Sequence, residues 1–153
     1  MGDETTDEVQ PDEAWPHPEV PLHEYLGVEF EHVGDGRSVI RLPLSDHVRG
    51  LVAPVHGGVL ATLSDIACGA AMAGSFDPAV EVPVSVDLHV RYYRQPKASP
   101  VVAEATIVHR GSRIVGVECS IRDADGLQVA RTAASYMIVQ GFGSLPAADR
   151  PDS

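Results

Sequence analysis

The sequence predicts an α+β domain in which one antiparallel sheet curls around a single long helix. Three observations predict it. The stretch from Gly57 to Ala73 carries apolar or small residues at Leu60, Leu63, Ile66, Ala67, Ala70 and Ala71, at helical spacing. From Pro83 onward the apolar residues recur every second position, as in strands. The order of segments is hairpin, helix, then four strands, and strands segregated from a helix indicate α+β with an antiparallel sheet.

Taken in order, residues 1–20 combine acidic side chains with Pro11, Pro16 and Pro18 and little apolar surface. Such a segment cannot offset the entropy of ordering, so a disordered acidic tail is expected. Pro21 to Gly27 suits a short helix. Val28 to Val33 and Ser38 to Leu44 each alternate apolar with polar residues around Gly34-Asp35-Gly36, which reads as a hairpin turn. The G-x-G there lacks the third glycine and flanking elements of a dinucleotide site. The helix of 57–73 is small and apolar nearly all round, so enclosure by sheet is expected, with Gly74 as its stop and Phe76-Asp77-Pro78 as a turn.

In the next strand Val84, Val86, Leu88, Val90 and Tyr92 alternate with Ser85, Asp87, His89, Arg91 and Tyr93, and the two sets are expected on opposite faces. Strands near 101–109, 113–122 and 127–139 follow, separated by Gly111-Ser112 and Asp123-Ala124-Asp125-Gly126. The domain is thus expected over 21–140, with 141–153 as a second flexible tail.

The chain has 153 residues and is 44% hydrophobic, enough for one domain with a real core. No apolar run reaches membrane-spanning length and the N-terminus has no signal pattern, so a cytoplasmic protein is expected. The net charge of −11 argues against nucleic acid. Seven acidic residues fall in 1–20, however, leaving 15 acidic against 11 basic in the remainder, so a local basic patch for an anionic ligand stays open. Cys68 and Cys119 lack C-x-x-C spacing and read as small buried thiols rather than as a disulfide or a metal pair.

Within the apolar helix Asp65 is the sole charged side chain between Gly57 and Ala73. Its same-face neighbours Ala61, Thr62, Gly69 and Met72 are mostly small, which leaves space beside the carboxylate. A buried carboxylate without donors is costly, so Asp65 is either satisfied by fixed donors or faces a cleft. His56-Gly57-Gly58 stands at the helix start, where free N–H groups and the absence of side chains suit a polarised carbonyl or oxyanion. Asp65 and Gly57 are eight residues apart, about 12 Å along a helix axis. One helix cannot easily apply both to one bond, whereas a shared dimer interface can.

The stretch His56-Gly57-Gly58-Val59-Leu60-Ala61-Thr62-Leu63-Ser64-Asp65-Ile66-Ala67, with Val84-Ser85-Val86-Asp87-Leu88 downstream, resembles the phenylacetate-type branch of the hotdog acyl-coenzyme A thioesterases. The resemblance covers about residues 22–139. It implies a dimer of hotdogs, usually paired into a homotetramer, that hydrolyses acyl-coenzyme A esters without a metal or separate cofactor. Asp65 would act as nucleophile or general base, and the Gly57 amide of the facing subunit would polarise the thioester carbonyl. His56 would help hold that carbonyl, and Ser85 would orient the attacking water. Gly58 and Thr62 would line the substrate.

One departure stands out. Relatives often carry Asn or Gln about six residues before the motif histidine, where this chain has Gly50, so His47, Arg49 or a shifted loop would have to substitute. The coenzyme phosphates would want basic residues, and Arg91, Arg94, Lys97, Arg110 and Arg113 lie at strand ends or turns. Two alternatives are a hotdog dehydratase or hydratase using His89 with Asp87, and a non-catalytic acyl-coenzyme A binding protein. There is no G-x-S-x-G elbow and no phosphate loop, and Gly27 stands where the second histidine of an H-E-x-x-H site would be.

Overall fold

The computed structural model describes residues 20–141. The tails expected over 1–20 and 141–153 lie outside the described residues, apart from Val20 and Gly141.

Helix α1 (Pro21–Leu26) opens on a proline, tolerated where no intrahelical N–H bond is needed, and Gly27 ends it at φ 72°. Strands β1 (Glu29–Gly34) and β2 (Arg37–Leu42) form the expected hairpin. Asp35 and Gly36 both have positive φ, 54° and 71°, the two-residue turn whose twist matches that of the strands. A 3-10 turn at Asp46–Val48 leads to helix α2 (Gly57–Ala71). Strands β3 (Glu81–Tyr92), β4 (Val101–Arg110), β5 (Ile114–Arg122) and β6 (Gln128–Gln140) complete the domain.

All pairings are antiparallel, in the order β1-β2-β4-β5-β6-β3. Strand β3 follows α2 in the chain but sits at the far edge beside β6. Its other edge has no partner among the described residues.

The sheet wraps α2, which touches all six strands. Leu60, Leu63, Ala67, Cys68 and Ala71 of α2 are buried against Ile40, Leu42, Ala103, Ala105, Val117, Ile121 and Ala134. The alanines of β4 give the helix room to lie close to the sheet. Two buried hydroxyls tether the helix. Ser38 donates to the Ala67 carbonyl at 2.7 Å, and Thr132 donates to the Ser64 hydroxyl at 2.8 Å. Both cysteines are free and buried, as expected.

Two expectations are corrected. The helix is not enclosed all round: Val59, Ala61, Thr62, Asp65, Ile66 and Gly69 are only half-buried, because within one chain the sheet covers one side. The simple alternation along β3 also fails. Ser85 pairs with Tyr136 and Asp87 with Ser135, so Val86 is an extra bulged residue. Directly opposed residues share a face, which puts Ser85, opposite buried Tyr136, on the helix side with Leu88, Val90 and Tyr92. Asp87, His89 and Arg91 stay on the outer face, where Val84 joins them.

Candidate active site

The bulge brings Ser85 to Asp65. The Ser85 hydroxyl donates to Asp65 Oδ1 at 3.0 Å, and the Tyr136 phenol donates to the same oxygen at 2.7 Å. Tyr136 also reaches the Asp65 carbonyl oxygen at 3.2 Å. Among the described residues no hydrogen bond falls on Oδ2 and no side-chain N or O atom is buried without a partner, so Oδ2 is open. Asp65 takes part in no ion pair among the described residues. Its carboxylate is therefore held by neutral donors on one side and free on the other.

Tyr136 is 3% exposed, and burial first, then its bond to Asp65, pushes its phenol far above the usual range. It stays protonated and donates. Cys68, one turn along α2, is pushed up first by its hydrogen bond with Cys119 and then by burial, which keeps it an inert thiol.

At the start of α2, His56 is the N-cap. Its Nδ1 accepts the Gly58 N–H at 2.9 Å, so the ring proton sits on Nε2, and His56 is exposed. The Gly58 amide is thereby occupied. The Gly57 N–H makes no hydrogen bond among the described residues. The Gly57 carbonyl accepts from the Tyr92 hydroxyl at 2.9 Å, and a Cβ at Gly57 would meet that ring at 3.8 Å. Tyr92 thus fixes the turn that presents the free amide. The Thr62 hydroxyl is spent on the Gly58 carbonyl at 2.9 Å.

The candidate residues fall into groups. Asp65 and Ser85 come together; His56 and Gly57 come together about two helical turns away. The five basic residues are all exposed, and they do not gather in one chain. Arg94 donates its N–H to Val129, while the Arg113 carbonyl accepts from Ile138, nine residues further along β6 and so about 30 Å away. Arg91 and Lys97 belong to the first end. Arg110, which donates to the Ser75 carbonyl just beyond α2, belongs to the second.

The position of the missing amide is packed against the motif: a Cβ on Gly50 would meet the His56 Cα at 3.4 Å. Neither suggested substitute is unengaged, since His47 stacks edge-on with Tyr25 and Arg49 pairs with Asp46 at 3.2 Å. Leu51 and Val52 at the loop tip are 100% and 96% exposed. His89 and Asp87, on the outer face, lie on the side of the sheet away from Asp65, which leaves the dehydratase alternative without its acid and base.

Sequence reasoning singles out neither Tyr136 nor the hydrogen bond by which Tyr92 holds the Gly57 turn. A tyrosine on the core face of a strand needs a partner for its hydroxyl, and that was the available signal for Tyr136.

Residues 54–130 match the family model described as the Thioesterase superfamily. A Halobacterium salinarum protein named "Putative esterase VNG_1336C" is 34% identical over 128 residues, 76% of this chain and 83% of that protein. The 1,4-dihydroxy-2-naphthoyl-CoA hydrolase of Listeria monocytogenes is 28% identical over 102 residues, 67% of this chain and 82% of that enzyme. The BH2602 protein from Bacillus halodurans, solved with CoA, superposes with a TM-score of 0.70 at 28% identity, over 78% of this chain and 76% of that one. The matched segment contains the His56-Gly57-Gly58 turn, Asp65 and Ser85, and around it the sheet closes on a single helix. The chain belongs to the thioesterase superfamily of hydrolases and has its hotdog fold.

Proposed function

We propose that the chain hydrolyses acyl-coenzyme A thioesters to the free acid and coenzyme A, without a metal or separate cofactor. The observation that carries the reading is the state of Asp65: a carboxylate with one oxygen held by two hydroxyls and the other open, on the helix that begins with an unbonded amide. A thioester carbonyl gains negative charge as it is attacked, and a fixed N–H aimed at it stabilises that charge. Gly57 supplies the N–H, and the His56 Nε2 proton is a second donor beside it. Asp65 Oδ2 either attacks the carbonyl carbon or takes a proton from the water that does, with Ser85 beside it to orient that water. The carbon–sulfur bond then breaks and the thiolate leaves and is protonated; where water attacked, the acyl group departs as the acid, and where Oδ2 attacked, water hydrolyses the resulting Asp65 acyl anhydride to release the acid and restore the carboxylate.

Two turns of helix separate Gly57 from Asp65, so each site takes the amide from one chain and the carboxylate from a second copy. The free edge of β3 beside Asp65 is the place for that copy to pair. The outer row Val84, Met137 and Ile114, exposed and adjacent across three strands, suits further association of dimers into a tetramer. In such an assembly basic residues from different chains meet the phosphates: Arg91, Arg94 and Lys97 from one, Arg110 and Arg113 from another. Similarity to a naphthoyl-CoA hydrolase and to a fold solved with CoA supports a coenzyme A ester, and an aryl acyl group belongs in the first panel tested. A cytoplasmic location fits this substrate.

The loop at Gly50, with no side-chain amide and an apolar tip, favours a second reading, an acyl-coenzyme A binder without turnover. Thiol release from aliphatic and aryl acyl-coenzyme A esters decides between them. Turnover by the wild type that is lost in Asp65→Ala, at matched folding and oligomeric state, supports hydrolysis. Binding without turnover by the wild type refutes it.

A further inference from the structure

We propose that Tyr136 is the positioning residue of this site: with Ser85 it locks Asp65 through Oδ1 and so makes Oδ2 the working oxygen. The inference rests on the thioesterase reading and deepens it. Tyr136 lies outside the segment matched by the family model.

A carboxylate turns about a broad, roughly two-fold torsion, so its two oxygens are interchangeable unless something tells them apart. Here both donors fall on one oxygen, at 2.7 and 3.0 Å. They come from directly opposed residues of neighbouring strands, Tyr136 on β6 and Ser85 on β3, so the pair is set by sheet register rather than by a mobile loop. The phenol also reaches the Asp65 carbonyl oxygen, which ties the turn of α2 carrying the side chain to the same strand.

Asp123 shows what a structural aspartate looks like in this protein. Its Oδ1 accepts the Asp125 and Leu127 N–H groups and its Oδ2 the Lys97 N–H, each at 2.9 or 3.0 Å, and it is 4% exposed. Both oxygens are used, and the group pins two loops together. Asp65 keeps one oxygen back. Tyr136 is suited to the role because it is buried and remains protonated: it can only give a hydrogen bond to Oδ1, and it cannot take the proton that Oδ2 must handle.

The test is steady-state turnover of the best acyl-coenzyme A ester by wild type, Tyr136→Phe, and protein carrying 2,3-difluorotyrosine at position 136. The fluorinated ring keeps the hydroxyl and ionises at lower pH. Tyr136→Phe is expected to lower kcat about 10- to 100-fold with KM within twofold, the cost of a misplaced reacting group. The difluorotyrosine protein keeps the donor and is expected to match wild type in kcat and KM near neutrality, because burial holds the phenol protonated. A merely structural tyrosine would cost Tyr136→Phe stability and leave the kcat of the folded protein unchanged. The proposal is overturned by a Tyr136→Phe kcat within twofold of wild type, or by a folded difluorotyrosine protein that loses kcat about 10-fold or more although its hydroxyl is kept. The second comparison stands even should the phenylalanine variant not fold. A wild type inactive on every ester removes the thioesterase reading and this inference together; active wild type with indifferent Tyr136 variants removes this inference alone.

Discussion

Replacing Gly57 with proline would delete one hydrogen-bond donor and almost nothing else. Gly57 is the first residue of α2, the position where proline is best tolerated in a helix. Its N–H bonds to no group of the described residues, so the helix loses no backbone bond. The residue before a proline must be extended, and His56 already is, at φ −68° and ψ 136°. The added Cβ would meet the Tyr92 ring at 3.8 Å, an ordinary contact. Stability should therefore be kept or raised, by up to about 1 kcal/mol, because proline restricts the unfolded chain. Catalysis should not survive so well. Loss of one donor aimed at a developing oxyanion costs about 2.7–4 kcal/mol of barrier, or roughly 100- to 1,000-fold in kcat. The assay is thiol release beside thermal unfolding and sedimentation, so that folding and assembly are matched. A folded, correctly assembled Gly57→Pro protein with kcat within threefold of wild type would refute the assignment of this amide to the carbonyl.

Two further predictions concern the scaffold. Ser64→Ala removes the acceptor of the buried Thr132 hydroxyl and should cost about 1–3 kcal/mol in denaturant unfolding, whereas adding Thr132→Val should recover most of that loss. If the double variant is no more stable than Ser64→Ala, the cost is one of packing and not of an orphaned hydroxyl. Asp123 is held below the usual carboxylate value of 3.8 first by the Lys97 N–H, with the Leu127 and Asp125 N–H groups adding to it against burial. A depressed folded-state value stabilises the fold above 3.8 and loses that contribution as the pH falls through the depressed value. The difference in melting temperature between wild type and Asp123→Ala should accordingly be largest near neutrality and shrink below about pH 4; a gap independent of pH would contradict this.

Much of the architecture was legible because local rules and tertiary needs agreed. The Asp35-Gly36 turn, the apolar helix with its stop at Gly74, and the strands β4, β5 and β6 lie within a few residues of where pattern and turn chemistry put them. The failures share a cause. Val86 has the same alternating pattern as its neighbours, and nothing local marks it as a bulge; the slip exists only relative to β6. That slip decides whether Ser85 faces solvent or Asp65. Tyr136 stands 71 residues from Asp65, and only the placement of β6 next to edge strand β3 brings its hydroxyl within reach. The basic residues could be named but not grouped, because strand-end positions say nothing about which end of the sheet each one occupies.

The half-open side of α2 follows from the same topology. A helix with Val59 and Ile66 on its uncovered side and a single carboxylate between them is poorly suited to water, yet one sheet of six strands covers only the opposite side. Strand β3, 12 residues long and without a partner on one edge among the described residues, borders this side. Burying the apolar residues, pairing the edge and bringing a free amide to a free carboxylate oxygen are three separate demands. The proposed second copy, joined along β3, would meet all three at once, and on that proposal a variant that breaks the edge should lose stability and turnover together.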